Sequence, residues 1–515
     1  MQTRSPIPAI QEGAAKSCPS FFPPSHTAGK IKARNTRIDI VNPSSEEKNI
    51  LAKSLSVYDD YANFPRVLWR GMVTRVDEKG NIIVSIPRFV PYGVIKSIFQ
   101  EIPIYETDSV TPERPAIVLN AAPRSELQER AVKFLFPNGR FFDESVKALD
   151  LPVGEGKTFL AILAIARMGL KANIFVKKLT MIENPWIKDI LAFTDIKREE
   201  IGIIQGSDSL EKIMANAHKY KIFITVEKTF VSIASKNMAF ETIERMYQTL
   251  GIGINVVDEA HLELLATFLV AMYTRPKFTL YLTATLGRTD FSESKMINKV
   301  IPVHKSFANT NNIDTRKFVT YRKRHYKTTP SDAWVKKFSQ DRGVKSATYY
   351  SYIESVGESY YAMLHGIYDA VKEIIAESNN EAKNLHIAVV IGSLAIIRKM
   401  FINFQEDFPE LSVGNFTGDV AAKVRNIELT RNIIFATEKG LDSATDTTLD
   451  GMILTVPNTS DILLTQITGR LRYRQEKPAQ IYPVYDIMDI GFKKTTNNAL
   501  SRSNVITKSI ALNVG

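Results

Sequence analysis

The sequence predicts an α/β protein with two parallel-sheet domains in tandem and a small α+β module before them. Three observations carry this. Short apolar strands alternate with helical stretches from about residue 116 to 290, a second such series runs from about 359 to 492, and a glycine-rich turn opens an apolar helix in the first series. Strands buried on both faces and separated by helices read as parallel sheets with helical layers on either side. A chain of 515 residues exceeds what one core supports.

Composition narrows the class. Apolar residues make up 44% and charged residues 23%, ordinary values for a globular protein. The longest apolar run, Phe159 to Ala166, is far short of the roughly 18 residues a membrane helix needs. Residues 1–57 are polar and irregular, with five prolines between Pro6 and Pro24 and no signal-peptide core, so a largely disordered tail is expected. A single cysteine, Cys18, leaves no internal disulfide and no cysteine zinc site. Together these point to a cytoplasmic protein. The net charge of +11 suits a polyanionic partner.

Residues 58–115 read as the accessory module, a possible nucleic-acid-binding element. Arg70 to Val76 and Ile82 to Ile86 alternate around the turn Asp77-Glu78-Lys79-Gly80-Asn81, and Val94 to Ile102 is a short helix. In the first α/β series, Ser125 caps a helix with apolar residues at 127, 131, 132, 134 and 135. Strands are expected at Ala172–Val176, Ile201–Ile204, Lys221–Val226, Ile252–Val257 and Thr279–Thr283. In the second they are expected at Ile387–Ile391, Asn432–Ala436, Gly451–Val456 and Ala479–Tyr485. Between the series, residues 291–358 form a basic and aromatic interdomain segment, and 493–515 a polar tail.

The chemistry concentrates at the strand ends. Leu151-Pro152-Val153-Gly154-Glu155-Gly156-Lys157-Thr158 meets the second half of the phosphate-loop pattern. Such a turn aims backbone N–H groups at an anion, the lysine reaches the outer phosphates, and the hydroxyl can ligate Mg²⁺. About 100 residues later, a buried strand ends in Asp258-Glu259-Ala260-His261. The first acid can hold a metal through water, and the second can polarise the water that attacks a γ-phosphate. Leu282-Thr283-Ala284-Thr285 offers hydroxyls to that acidic loop, and Thr465-Gln466-Ile467-Thr468-Gly469-Arg470 offers a cation from the second series. An arginine arriving at a γ-phosphate from a separate element is worth roughly 10³–10⁵ in rate. Arg316 to Lys327 holds six Lys/Arg and no acid, with tyrosines interleaved, so it is either a nucleic-acid contact or a solvated basic strand.

In this order and spacing, Gly-x-Gly-Lys-Thr, Asp-Glu-Ala-His, Thr-Ala-Thr and Gln-x-x-Gly-Arg resemble motifs I, II, III and VI of superfamily 2 helicases of the DEAD/DEAH type, over about Pro123 to Asp489. Within the superfamily the build is most similar to bacteriophage DNA helicases of the UvsW type. The resemblance implies two RecA-like P-loop NTPase domains, with ATP and Mg²⁺ between them. Nucleic acid would cross both, DNA rather than RNA, with duplex unwinding or branch migration in phage replication, recombination or repair as the outcome. The rival readings are a double-strand translocase that leaves strands paired and an RNA helicase. A monomer is compatible with the sequence, which does not set the oligomeric state.

By the same resemblance, Gly154, Glu155, Gly156, Lys157 and Thr158 bind the nucleotide, and Gln128 reads its base. Thr158 and Asp258 hold the metal, Glu259 is the catalytic base, and Gln466 and Arg470 complete the site. Ala436-Thr437-Glu438-Lys439-Gly440-Leu441-Asp442 is similar to motif V, which adds Gly440 and Asp442. The family places a second arginine three residues after the first. Here that position is Tyr473, so Arg472 or Arg474 takes the role, or neither does. Lys177, Lys178, Thr225, Thr417, Arg322, Lys323 and Arg324 are the candidate nucleic-acid contacts, with ordinary surface lysines the alternative for the first two.

Overall fold

The computed structural model describes residues 31–34, 36–59, 66–88, 90–99, 104–105, 112–137, 146–151, 155–236, 239–283, 296–298, 300–301, 306–308, 319–340, 346–378, 385–420, 424, 427–442, 449–455, 471 and 482–492. Its architecture is two tandem RecA-like α/β domains preceded by an α+β module.

The module begins earlier in the chain than its composition suggests. Strands β1 (Ile31–Ala33), β2 (Arg37–Val41), β3 (Ser56–Asp59), β4 (Arg66–Arg70), β5 (Val73–Val76), β6 (Ile82–Pro87) and β7 (Ile104–Tyr105) accompany two helices, Ser45–Leu55 and Tyr92–Phe99. Five strands form one sheet in the order β5-β6-β2-β1-β7, and β3 pairs with β4 alone. Residues 31–57, expected in an irregular tail, thus belong to this module. The reason is a period-two pattern: Ile31, Ala33, Ile38 and Ile40 face one core with Val84, Ile86, Leu51 and Phe99. The first helix starts at a capping box, in which the Glu47 N–H donates to Ser44 Oγ and the Ser44 N–H to Glu47 Oε2. The hairpin read at residues 77–81 joins β5 to β6 in antiparallel register.

The first α/β domain contains β8 (Val146–Asp150), β9 (Ala172–Val176), β10 (Ile201–Ile204), β11 (Ile222–Val226), β12 (Ile254–Val257), β13 (Phe278–Thr283) and β14 (Ser306–Ala308). All pair in parallel in the order β10-β11-β9-β12-β13-β8-β14. Successive residues feed opposite faces: Ile174 and Val176 of β9 join one core with Trp186 and Leu160, and Phe175 joins the other with Phe230 and Met246. In the second domain β15 (Val319–Tyr326), β16 (Ile387–Val390), β17 (Val413–Phe416), β18 (Ile433–Ala436), β19 (Gly451–Leu454) and β20 (Tyr482–Asp489) form a parallel sheet in the order β15-β20-β19-β16-β18-β17.

The segment 291–358 is therefore not a separate linker. Its β14 completes the first sheet and its β15 the second, aligned with β20 over eight residue pairs. β14 is a three-residue, half-buried edge strand and β15 a basic edge strand with half-buried and exposed residues, so neither carries the apolar run by which a buried strand is read from sequence.

The module docks on the first domain through charge. Arg37 is fully buried; its Nε donates to Asp39 Oδ1 at 2.9 Å and its Nη1 to the Met272 carbonyl at 2.6 Å. Thr36 Oγ1 donates to the Thr274 carbonyl at 2.7 Å, and Arg75 lies 4.3 Å over the Phe240 ring. Burial alone would raise the Asp39 carboxyl. Arg37, the Ser85 hydroxyl, Arg34 and Arg75 together hold it well below the ordinary carboxylate range. Removing one member of a buried ion cluster strands the others and costs about 3–5 kcal/mol. Asp39→Ala is expected to lower stability by about that much in urea denaturation. Because the folded-state pKa is depressed, the carboxylate's contribution is complete above its unfolded value of about 3.9 and is lost as the pH falls below it. Acid titration of the variant should lack that component.

Candidate nucleotide site

Strand order assembles the site. β13 lies between β8 and β12, and all three run in parallel, so their C-terminal ends share one edge. Thr283 is in register with Asp150, and the Leu151 N–H donates to the Thr283 carbonyl at 3.0 Å. The chain leaves β8 into the phosphate loop, leaves β12 into Asp258-Glu259, and leaves β13 at Thr283. This is the edge at which open parallel sheets bind ligands.

Helix Lys157–Met168 starts from Gly156, whose φ of 82° is left-handed and has no side-chain cap. A Cβ there would stand 2.3 Å from Gln128 Nε2, so only glycine fits. The uncapped N–H groups and the helix dipole suit an anion. Lys157 lies at the first helical position and its Nζ donates to the Leu151 carbonyl at 2.9 Å, the opposite end of the same loop. Thr158 follows on the helix, half-buried. Gln128 is buried and doubly engaged: its Nε2 donates to the Glu155 carbonyl at 3.0 Å and its Oε1 accepts from the Arg124 N–H at 2.9 Å. Its carboxamide holds the phosphate loop against helix Glu126–Leu135, which Ser125 caps as expected.

The acidic pair sits two strands away, across β13. The Asp258 N–H donates to the Phe175 carbonyl, and the Glu259 N–H to Asp258 Oδ1 at 2.9 Å. Asp258 Oδ2 accepts the indole N–H of Trp186 at 2.9 Å. Burial pushes the Asp258 pKa up to about 6, with the Glu259 charge adding to it and Trp186 and Lys157 opposing. Glu259 has a left-handed φ of 46°, a strained position for a side-chain-bearing residue. Its Oε2 is buried, accepts no hydrogen bond, and lies 3.4 Å from His261 Nδ1. The same nitrogen is 2.9 Å from Thr283 Oγ1. The hydroxyl read as reaching the acidic loop does so at Thr283; Ala284 and Thr285 lie outside the described residues.

These groups fit a magnesium nucleotide. An uncapped helix start, a lysine, a helical threonine and a buried acid beside an unsatisfied carboxylate oxygen match phosphate, cation and water in turn. Among the described residues no cluster of three or more His, Cys, Asp or Glu forms a metal cage, as expected where phosphate and water supply most ligands.

The candidate nucleic-acid contacts divide. Lys177 is buried, with Nζ 2.6 Å from both carboxylate oxygens of Glu227 and 3.4 Å from Thr267 Oγ1, which itself donates to the Ala260 carbonyl. Burial lifts Glu227 to about 7 against the pull of Lys177. Lys177 is thus an internal cation that ties β9 to the acidic loop. Lys178 is half-buried. Thr225 is buried and donates to Asn173 Oδ1 at 2.7 Å. Thr417 is buried too, its hydroxyl engaged with Asn415 and Asp419. In β15, Arg322 pairs with Glu377 and Tyr485, and Arg324 with Glu373. Of the three, Lys323 is the exposed one, on the opposite face of the strand from Arg322 and Arg324. Gly440 lies in helix Glu438–Asp442, where a Cβ would meet the Phe416 carbonyl at 2.9 Å. Gly154, Gln466, Arg470, Arg472 and Arg474 lie outside the described residues, as does the side chain of Asp442.

Two residues escaped the sequence reading, Trp186 and Glu227. Their partners are 72 and 50 positions away, so no local pattern announces them. Glu227→Gln removes the charge that balances a buried ammonium, and the first domain should lose about 3–5 kcal/mol in urea denaturation. The double change Lys177→Met with Glu227→Leu should recover most of it, because apolar residues of similar volume replace a buried pair at little cost.

Comparison with known proteins places this geometry. Residues 125–288 match the family model described as Type III restriction enzyme, res subunit. No curated protein sequence matches the chain. Three solved structures are similar at low identity. The Pyrococcus furiosus Hef helicase domain is 15% identical, covering 74% of this chain and 98% of its own, with a TM-score of 0.43. T4 UvsW is 13% identical, covering 93% and 97%, with a TM-score of 0.34. S. cerevisiae Dbp5 bound to RNA and ADP BeF3 is 11% identical, covering 74% and 87%, with a TM-score of 0.48. The resemblance to superfamily 2 helicases is therefore borne out over residues 125–288, the segment that holds the phosphate loop and the acidic pair.

Proposed function

We propose that the protein is an ATP-driven nucleic-acid motor, acting on DNA, that unwinds duplexes or migrates branches. The observation that carries the reading is the meeting of Lys157, Asp258 and Glu259 at one sheet edge, with β13 alone between their strands. Lys157 and the N–H groups at the start of its helix hold the β- and γ-phosphates. Thr158 and Asp258 would hold Mg²⁺, which supplies neutralisation of phosphate charge when bound. Glu259 takes the proton of the attacking water, and its free Oε2 is the available acceptor. The strained backbone at Glu259 and the His261–Thr283 contact fix where that acceptor points.

Arg470 from the second half of the chain completes the charge balance in the transition state, with Gln466 four residues before it in sequence. Gly440 and Asp442 couple the second domain to the nucleotide, with Arg472 or Arg474 as a second cation. Lys178 and the loop around Thr417 face the nucleic-acid track, with Lys323 on the basic strand. Closing and opening of the two domains around ATP then moves the strand.

Lys157→Ala and Glu259→Gln should each lower DNA-stimulated ATP turnover by about 10²–10⁴-fold while DNA affinity persists. Wild-type turnover by the Glu259→Gln protein would dismiss it as the base. Comparing stimulation by single-stranded DNA, forked DNA and RNA, with strand displacement beside triplex displacement, decides substrate and outcome. A second expectation concerns pH. Asp258, raised to about 6, gains a proton as the pH falls through that value and no longer attracts a cation. The Mg²⁺ concentration for half-maximal turnover should climb below about pH 6 and stay level above pH 7.

A further inference from the structure

The twelve residues from Phe175 to Trp186 run from the end of β9 through a turn at 177–179 into a helix that begins at 180, and both ends of the segment grip the same amino acid. At its start, the Phe175 carbonyl accepts the backbone N–H of Asp258 at 3.0 Å. At its end, the Trp186 indole donates to Asp258 Oδ2 at 2.9 Å. Between these anchors the chain reaches the surface: Lys178 is half-buried, and Leu179 is 51% exposed. Lys177 pins the base of the turn from inside through Glu227.

The chemistry of the distal anchor is selective. Indole offers one donor and no acceptor, and a fully buried one must find a partner. A backbone carbonyl would satisfy it for packing purposes. Here the partner is the carboxylate that would hold metal, whose other oxygen already accepts the Glu259 N–H. With both oxygens held from opposite sides, the carboxylate cannot turn about its own axis without breaking a charge-assisted bond. Outer-shell donors of this kind set the orientation of metal-holding groups, and losing one costs roughly 10- to 100-fold in affinity or activity.

We propose that Trp186 is a positioning residue that makes the turn at 177–179 and the helix after it a lever: a phosphate backbone engaging the turn at Lys178 shifts the Asp258 carboxylate, and by this route nucleic acid stimulates turnover. The inference rests on the nucleotide-site reading above and adds the regulation of that site. Phe175 is held in the sheet between β11 and β12, so displacement of the turn passes through the helix that carries the indole and reaches the side chain of Asp258 by that route.

The test uses the full chain with oligo(dT) as probe. Trp186→Phe keeps an aromatic ring and removes the N–H. DNA-stimulated kcat should fall roughly 10- to 100-fold, more steeply than basal turnover, so that the ratio of stimulated to basal turnover drops, while affinity for oligo(dT) should hold. A tryptophan that serves packing alone would change thermal stability and leave that ratio at the wild-type value, which overturns the proposal. Should the variant fail to fold, Trp69→Phe with Trp334→Phe leaves Trp186 as the sole tryptophan. Its fluorescence should then respond to saturating oligo(dT) without nucleotide, and again to Mg·ADP. An unchanged spectrum, with binding of both established separately by anisotropy of labelled probes, overturns the lever. Failure of either probe to bind overturns the site reading itself, and the lever with it.

Discussion

One register decides what this protein can do: β13 inserted between β8 and β12, all parallel, with Thr283 level with Asp150. Strand spacing of about 4.8 Å then sets the distance between the phosphate loop and the acidic pair, and a parallel arrangement puts both at one edge. The contacts at the edge follow from it. Leu151 bonds to the end of β13, Ala260 bonds to Leu282 of the same strand, and Thr283 reaches His261 beside Glu259. A one-residue slip would send Thr283 to the other face of the sheet and break the chain of contacts.

Charge in this fold is placed by pairing rather than by exposure. Lys177 with Glu227, and Arg37 with Asp39, are ionic contacts taken out of water where apolar pairs would pack more cheaply. Both lie where two parts of the chain must meet in one way: the first joins β9 to the segment after β11 beside the acidic loop, the second seats the N-terminal module on helix Leu264–Tyr273. Leaving either member of such a pair buried without its partner costs about 3–5 kcal/mol, so each pair penalises an arrangement that separates its members.

The basic strand shows the same logic. Residues 316–327 carry no acid of their own, yet alternation along β15 sends Arg322 and Arg324 toward Glu373 and Glu377 of helix Gly357–Glu377. Tyr485 of the neighbouring strand accepts from Arg322 as well. Lys323 points the other way. A run that reads as a polycation in one dimension is divided by the strand period, and two of its six cations are neutralised by a helix about 50 residues on.

The sequence by itself determined the fold class, the strand-and-helix alternation of both domains, the Ser125 cap, the hairpin at 77–81 and the two strand-end segments proposed to hold the nucleotide. All of these are local: periodicity, turn chemistry and short motifs depend on neighbours within a few positions. The tertiary structure alone decided that residues 31–57 join the module and that 306–308 and 319–326 belong to two different sheets. It also decided that Lys177 and Thr225 are internal and that Trp186 grips Asp258. Each of those rests on a partner 50 or more positions away, apart from the module strands, whose short pattern is too brief to stand out from the polar chain before it. Long-range pairing is chosen by which burial leaves no charge or donor unmatched, and that choice is made only when the whole sheet is assembled.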